Sequence, residues 1–219
     1  MKIMLTSNGI SNNRIREELI QLLELPITSR RACIITTASN HKEKSYGATL
    51  ANQLFQNLGF VRTDFLDVQY ESPNILWEYD VIYINGGNPF FLLLWLYKSN
   101  AIETLRNVAL RDKIIIGTSA GAMVLADSIK HVNQLNVIAG YDPMDVDELS
   151  DHSAVGLVKI NVVPHYNRFM DANPQFETKL QQLEQQTNIG FERLADGEAI
   201  VIDGDTVKKL ANCSTNEER

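Results

Sequence analysis

Short apolar runs alternate with amphipathic stretches along the first half of the chain. Runs rich in Ile and Val and bounded by Gly, Asn or Ser predict buried parallel strands at residues 2–6, 32–37, 63–66, 81–85 and 113–117. Between them, apolar residues recur at helical spacing over 14–25, 46–58, 90–96 and 101–109. This alternation predicts an α/β fold with a mostly parallel sheet and helices on both faces.

Two of these helices have a clear apolar face in the sequence. The residues predicted to face the core are Ile15, Leu19 and Leu22 in the first, and Leu50, Leu54 and Leu58 in the second. Gly59 follows the second helix and is predicted to end it, because glycine readily adopts the left-handed conformation of a helix C-cap.

The second half of the chain is less regular. The acidic stretch 142–149 predicts a surface loop, and we expect the segment 142–153 to narrow the entrance to a site. Further predictions are a strand at 157–163, a polar helix at 176–186 and a C-terminal β-hairpin at 199–202 and 206–210. Without repeats or linkers, residues 1–211 are predicted to form one domain and 212–219 a frayed tail.

Composition narrows the classes of function. The 219 residues are 44% hydrophobic and 21% charged, with a formal net charge of -7. An acidic chain is a poor partner for nucleic acid or anionic membranes. No segment approaches the ~18 apolar residues of a membrane span, and the start lacks a secretory pattern. Two cysteines, Cys33 and Cys213, make no disulfide framework. We expect a cytoplasmic protein, and a homodimer is compatible with the sequence.

The most informative motif follows the strand predicted at 113–117. In Gly117-Thr118-Ser119-Ala120-Gly121, a serine lies between glycines where a buried strand passes into a helix-compatible run. Such a turn exposes the serine at the carboxyl edge of the sheet, and the glycines avoid collisions with neighbouring backbone. The following helix directs its N–H groups toward the site, which favours a developing oxyanion. Ser119 is therefore predicted as a nucleophile.

A serine nucleophile needs a base, and the chain has four histidines. His41, His131 and His152 lie in polar stretches, whereas His165 directly follows an apolar strand. Since ligand sites in open α/β sheets lie beyond the carboxyl ends of strands, His165 is the predicted base.

A second glycine motif, Asn85-Gly86-Gly87-Asn88, ends the strand predicted at 81–85. Gly-Gly lets backbone N–H groups approach a ligand, so this turn and the Ala120 N–H form a candidate oxyanion hole. The chain has no dinucleotide fingerprint, no phosphate-binding loop and no His/Cys/carboxylate spacing typical of a metal site, so no cofactor and no metal are predicted.

These motifs resemble, in chain order, those of the peptidase E family of serine peptidases, which includes aspartyl dipeptidases and is related to cyanophycinase. The matching segments are Gly86-Gly87-Asn88, Gly117-Thr118-Ser119-Ala120-Gly121-Ala122, Pro164-His165-Tyr166 and Asp196-Gly197-Glu198-Ala199-Ile200. The resemblance implies a fold like that of class I glutamine amidotransferases, Ser119 as nucleophile and His165 as base. It also implies an oxyanion hole from Gly87 and Ala120, and small peptides as substrates.

The chain departs from this family in two places. Aspartyl dipeptidases have an Asp between the Ser and the His, and the comparable segment here, Val132-Asn133-Gln134-Leu135, has no carboxylate. Cyanophycinase has an acid after its His, where this chain has Asp196, our favoured third member, with Glu192, Glu198 and the upstream Asp142 as alternatives.

The second departure concerns substrate binding. The family arginine that binds the substrate carboxylate has no equivalent at its usual spacing, where Lys179 stands, and Arg168 lies only three positions after His165. We expect Arg168 and Asn88 to contact substrate, without a requirement for N-terminal aspartate.

The leading hypothesis is thus a serine peptidase acting on short peptides through an acyl-enzyme on Ser119. A metabolite-binding module with an amidotransferase-like fold, which performs no turnover, and a serine esterase or amidase are the alternatives.

Overall fold

The predicted strands of the first half pair side by side in the computed structural model, which describes residues 1–24, 26–144 and 146–211. A seven-stranded sheet has the order β3-β2-β4-β5-β1-β8-β9. Its strands are β1 (Lys2–Thr6), β2 (Arg31–Ile35), β3 (Arg62–Leu66), β4 (Val81–Ile84), β5 (Ile114–Thr118), β8 (Ala199–Asp203) and β9 (Thr206–Leu210). The first five strands are parallel, whereas β8 is antiparallel to both β1 and β9.

Helices cover both faces of this sheet. They are α1 (Asn13–Leu23), α2 (Tyr46–Asn57), α3 (Pro89–Lys98), α4 (Ala101–Ala109), α5 (Ala120–Met123), α6 (Val132–Ala139), α7 (Tyr166–Ala172) and α8 (Phe176–Thr187). Successive side chains of a strand point to opposite faces, so Ile3 and Leu5 pack into a core with α3, α4 and α5. Met4 packs into the other core with α1 and α2. The predicted α/β architecture is confirmed.

A small separate sheet lies beside the large one. It pairs β6 (Asn161–Pro164) with β7 (Phe191–Leu194) in parallel. The strand predicted at 157–163 is therefore shorter and shifted, and β7, α6 and α7 were not predicted. These elements pack on a minor core around Phe176, to which Leu135 and Phe191 belong. Since a small core needs few apolar residues, the sequence pattern of these elements is weak.

The predicted core-facing side of α2 is confirmed at its C-cap, Leu58, which packs against the core, and is wrong at Leu50, which is 45% exposed. The buried residues of the helix are Ala48, Ala51 and Phe55. The two alanines allow the helix to approach the sheet closely, and Phe55 fills the core beside them. The predicted face of α1 and the left-handed cap at Gly59 (φ 86°) are confirmed.

Two sequence predictions, the frayed tail and the single domain, are not tested by the structure. The tail 212–219, with Cys213, falls outside the described residues, and the single domain at 1–211 stays a prediction. Among the described residues, no helix is long and apolar enough to cross a membrane.

The turn between β5 and α5 has two unusual backbone features. A Cβ on Gly121 would lie 2.1 Å from the Ile84 carbonyl oxygen of β4, and one on Gly117 would lie 2.5 Å from the Gly121 carbonyl oxygen. Ser119 has φ 52° and ψ -113°, a conformation that side-chain-bearing residues rarely adopt. The glycines permit the tight crossing, and the surrounding sheet holds Ser119 in its strained geometry.

We expect Gly121→Ala to destabilise the fold by ~1–3 kcal/mol, because its Cβ meets the β4 backbone rather than a movable side chain. The matched control is Gly190→Ala, where no atom lies within 4 Å of the added Cβ. It should change stability by less than ~0.5 kcal/mol. Urea unfolding of both variants measures the difference, and equal stabilities would contradict the close crossing.

We expect Ser119→Gly to be more stable than Ser119→Ala by about 1 kcal/mol. Both variants lose the hydroxyl, but only glycine relieves the strained backbone, a gain of ~1–3 kcal/mol. The extra freedom of glycine in the unfolded chain offsets ~0.4–1 kcal/mol of that gain. Chemical denaturation at neutral pH provides the comparison. If the alanine variant is as stable as the glycine variant, the turn is not strained.

Candidate active site

The candidate site lies where the carboxyl ends of β1, β4 and β5 meet. Ser7 follows β1, Asn85 and Gly86 follow β4, and Ser119 follows β5. The backbone N–H of Ser119 donates to the Thr6 carbonyl oxygen at 3.0 Å, so the turn is anchored to the neighbouring strand. The two glycine turns highlighted by the sequence therefore converge with the loop after β1, as expected at the carboxyl edge of a parallel sheet.

Ser119, His165 and Asp196 form a continuous chain of hydrogen bonds. The Ser119 Oγ lies 3.0 Å from His165 Nε2, and His165 Nδ1 lies 2.7 Å from Asp196 Oδ1. An ionised carboxylate only accepts, so His165 donates from Nδ1, and its Nε2 is left to accept from the serine hydroxyl. This is the arrangement in which a histidine can remove the proton of a serine.

The small β6–β7 sheet brings His165 and Asp196 together. Pro164 pairs with Leu194 in parallel register, so the residues that follow both strands emerge at the same edge. The sequence favoured Asp196 through the family resemblance and did not identify β7. The strand after Asp196, β8, does not pair with β6, because its neighbours are β1 and β9. The unpredicted β7 delivers the carboxylate.

The other acids considered lie elsewhere. Glu192 is exposed and 3.6 Å from Lys209 Nζ, and Glu198 accepts from the Ala195 backbone N–H at 2.9 Å. Asp142 is exposed in the loop after α6. Among the other histidines, His131 bonds Gln134, and the His152 ring packs edge-on against Phe90.

Ser7 is a site residue that the sequence did not single out. Its hydroxyl donates to Asp196 Oδ1 at 2.7 Å and accepts from the His165 backbone N–H at 2.8 Å. Ser7 is fully buried. One hydroxyl therefore joins the backbone of the histidine to the carboxylate that holds its ring. The sequence signal that could have identified Ser7 is its position directly after the central strand β1.

Asp196 stays ionised because of its donors. Burial alone would raise its pKa, but hydrogen bonds from Ser7, His165 and Arg168, together with the charge of His165, hold the pKa of Asp196 below its usual value. The Arg168 Nε donates to the second carboxylate oxygen, Oδ2. The Asp196 backbone N–H also donates to Asn167 Oδ1 at 2.8 Å, which fixes the loop.

The predicted oxyanion donors flank Ser119. A Cβ on Gly86 would lie 3.1 Å from the Ser119 Cβ, so this turn passes directly beside the serine. Gly87 has φ 147°, and a Cβ there would lie 2.1 Å from the Ala38 carbonyl oxygen. Ala120 is the first residue of α5, so its N–H has no acceptor within the helix.

The two predicted substrate contacts differ in position. Arg168 lines the cleft at Ser119. The Asn88 side chain instead caps α3, accepting from the Phe90 and Phe91 N–H groups at 2.9 and 3.1 Å. Asn88 is absent from the described residues that line the cleft, so the geometry does not support a substrate contact for its side chain.

The cleft has a volume of about 690 Å³ and opens beside Ser119 and His165. Thr118 lines it, and the Thr118 hydroxyl bonds that of Thr6 at 2.8 Å. Burial raises the pKa of Tyr83, which also lines the cleft, to about 12, so its hydroxyl stays protonated. Residues of α2 line the cleft, whereas the described residues of the segment 142–153 do not.

Comparisons with known proteins identify the family to which the sequence is related. The sequence model of peptidase family S51 matches residues 3–210. An uncharacterised peptidase of Listeria innocua is 28% identical over 200 residues, covering 88% of this chain and 90% of the relative. A peptidase E of Shewanella sp. strain MR-4 is 26% identical over 216 residues, covering 96% and 87%.

Solved structures have the same fold. A crystal structure described as a peptidase E protein from Listeria monocytogenes has a TM-score of 0.75 and 26% identity, covering 97% of this chain and 98% of that one. A peptidase from an acI-B1 actinobacterium, at 19% identity and a TM-score of 0.70, shares the fold over 96% of this chain and 87% of its own. Because the family model spans almost the whole sequence, the chain belongs to peptidase family S51 and is a serine peptidase.

Proposed function

We propose that the protein cleaves short peptides through an acyl-enzyme on Ser119, with His165 as general base and Asp196 as the acid that orients it. The observation that carries the proposal is the unbroken chain from Ser119 Oγ to His165 at 3.0 Å and from His165 to Asp196 at 2.7 Å. A cleft of about 690 Å³ suits a ligand of a few residues rather than a folded protein.

The proposed reaction has two halves. His165 takes the hydroxyl proton as Ser119 Oγ bonds to the carbonyl carbon, and the negative charge passes to the carbonyl oxygen. The N–H groups of Gly87 and Ala120 stabilise that oxyanion. As the C–N bond breaks, His165 gives its proton to the leaving amine. Water then attacks the acyl-enzyme, His165 again acting as base, and the peptide acid is released.

Arg168 has two roles in this proposal. Its Nε holds Asp196 Oδ2, so it fixes the carboxylate from the side opposite His165. Its side chain is 60% exposed at the cleft, where its other donors can meet the terminal carboxylate of a short peptide. That contact favours dipeptides over longer chains.

The nucleophile and the acid can be tested together. A fluorophosphonate probe should label the wild-type protein and leave Ser119→Ala unlabelled. Asp196→Asn keeps its shape but loses its charge, so kcat for a cleaved dipeptide should fall ~10⁴-fold. Glu192→Gln, Glu198→Gln and Asp142→Asn are matched controls and should stay near the wild-type rate.

The outcomes separate the alternatives. A folded wild-type protein that the probe does not label would support a binding module without turnover. Labelling combined with hydrolysis of esters but not peptides would support an esterase. A large loss in Asp142→Asn, with Asp196→Asn active, would assign the orienting acid to the upstream loop.

Ser7 is proposed as a positioning residue for this chemistry. Removing its hydroxyl leaves the His165 N–H without its acceptor and Asp196 with one donor fewer. Ser7→Ala should therefore lower kcat ~10–100-fold with KM changed less than ~3-fold, since small misplacements of reacting groups have effects of that size. Ser7→Thr, which keeps the hydroxyl, should recover part of the rate.

A stability measurement distinguishes positioning from general disruption. The lowered pKa of Asp196 contributes stability that is present above its unfolded pKa and lost as pH falls through its folded pKa. Wild type should therefore exceed Ser7→Ala in stability at pH 7, and the difference should narrow in acid. The control, Ser99→Ala, removes a remote hydroxyl that bonds Trp95 and should show neither effect. An unchanged kcat in Ser7→Ala would remove the role.

A further inference from the structure

Helix α2 carries three large apolar side chains outside its buried face. Its buried face consists of Ala48, Ala51 and Phe55. Tyr46 and Leu50, 80% and 45% exposed, point away from the sheet, and Leu54 lies on the same stripe at spacing i, i+4 and i+8. Exposed apolar surface of this kind is unfavourable in water unless a ligand or partner covers it.

These residues belong to the cleft that contains Ser119. Tyr46, Leu50 and Leu54 line it together with Ile10 from the loop after β1, and we call these four residues the apolar wall. The wall and the Ser119–His165 pair border one continuous space of about 690 Å³. A substrate held at Ser119 can therefore extend along α2.

The wall is fixed in place relative to Ser119. Ser45 caps α2, and its Oγ accepts from the Asn85 Nδ2 at 3.0 Å. Asn85 is buried directly after β4, next to Gly86, which borders Ser119. A Cβ on Gly47 would lie 2.7 Å from the Asn85 Oδ1, so the start of α2 packs closely on this turn.

The apolar wall offers no counter-charge to an acidic side chain. Among the described residues that line the cleft, Arg168 is the only Lys, Arg, Asp or Glu, and it lies in α7 rather than in α2. A carboxylate side chain desolvated against Leu50 and Leu54 would have no cation in the wall to pair with, whereas an uncharged side chain needs none.

We infer that the apolar wall selects short peptides with an apolar, uncharged side chain beside the scissile bond, rather than an aspartate. This inference rests on the proposed peptidase function and specifies its substrate class. The side chain is desolvated against Leu50 and Leu54 while Ser119 attacks the adjacent carbonyl. The occupant is thus the substrate itself, not a second copy of the chain.

The experiment uses two dipeptide panels, in which either the first or the second residue varies among Leu, Phe, Asn, Asp and Lys. The wild-type protein should show kcat/KM at least ~10-fold higher for Leu or Phe than for Asp in one panel. Leu50→Asp should remove most of that preference, and Leu50→Arg should shift it toward Asp. The matched control, Leu110→Asp, changes a 77% exposed leucine at the end of α4 and should keep the preference.

Labelling by a small fluorophosphonate distinguishes failure of the peptidase mechanism from failure of the inferred specificity. If wild type is not labelled and cleaves no dipeptide, the peptidase mechanism fails and the inference falls with it. If wild type is labelled but prefers Asp, or if Leu50→Asp keeps the wild-type preference, the mechanism stands and the inference is wrong. Sedimentation velocity adds one further outcome: a wild-type dimer that Leu50→Asp converts to a monomer, with specificity unchanged, would assign the wall to self-association.

Discussion

The ionised carboxylate of Asp196 is the interaction on which the site depends. It accepts hydrogen bonds from Ser7 after β1 and from His165 and Arg168 in the segment that runs from β6 into α7, so one group joins two segments that are distant in the sequence. Burying a carboxylate is unfavourable, and these donors more than compensate for it, because the pKa of Asp196 is lowered. A neutral side chain of the same shape would leave the segments without this common acceptor.

The second feature on which the site depends is the strained backbone of Ser119. The residue keeps φ 52° because the Thr6 carbonyl oxygen holds its N–H and because Gly117 and Gly121 let α5 cross close to β4. The geometry aims the hydroxyl at His165 and places the Ala120 N–H at the start of a helix beside it. The large sheet thus supplies the rigidity, and the small β6–β7 sheet supplies the histidine and the acid.

The sequence was informative where buried strands and glycine turns leave a strong local pattern. The five parallel strands, the Ser119 turn and the position of His165 after an apolar strand could all be predicted from it. The pairing of β6 with β7 could not, since four-residue strands such as Asn161–Pro164 carry little periodicity and their register depends on packing around Phe176. Asp196 was therefore favoured through the family resemblance and not through the strand pairing that brings it to His165. Ser7 was missed because a serine at a strand end has no pattern of its own.

The error at α2 has a different cause and is more instructive. Helical periodicity identifies a stripe of large apolar residues but not which surface it meets, and α2 has a second stripe of Ala48, Ala51 and Phe55. Close packing on the sheet favours the stripe that contains the two alanines, which leaves Leu50 and Leu54 lining the cleft. Places where a sequence departs from the pattern that its fold would favour are often functional. Here the departure occurs on a wall of the cleft that contains Ser119, so the exposed position of Leu50 is itself an argument that α2 recognises an apolar group of the substrate.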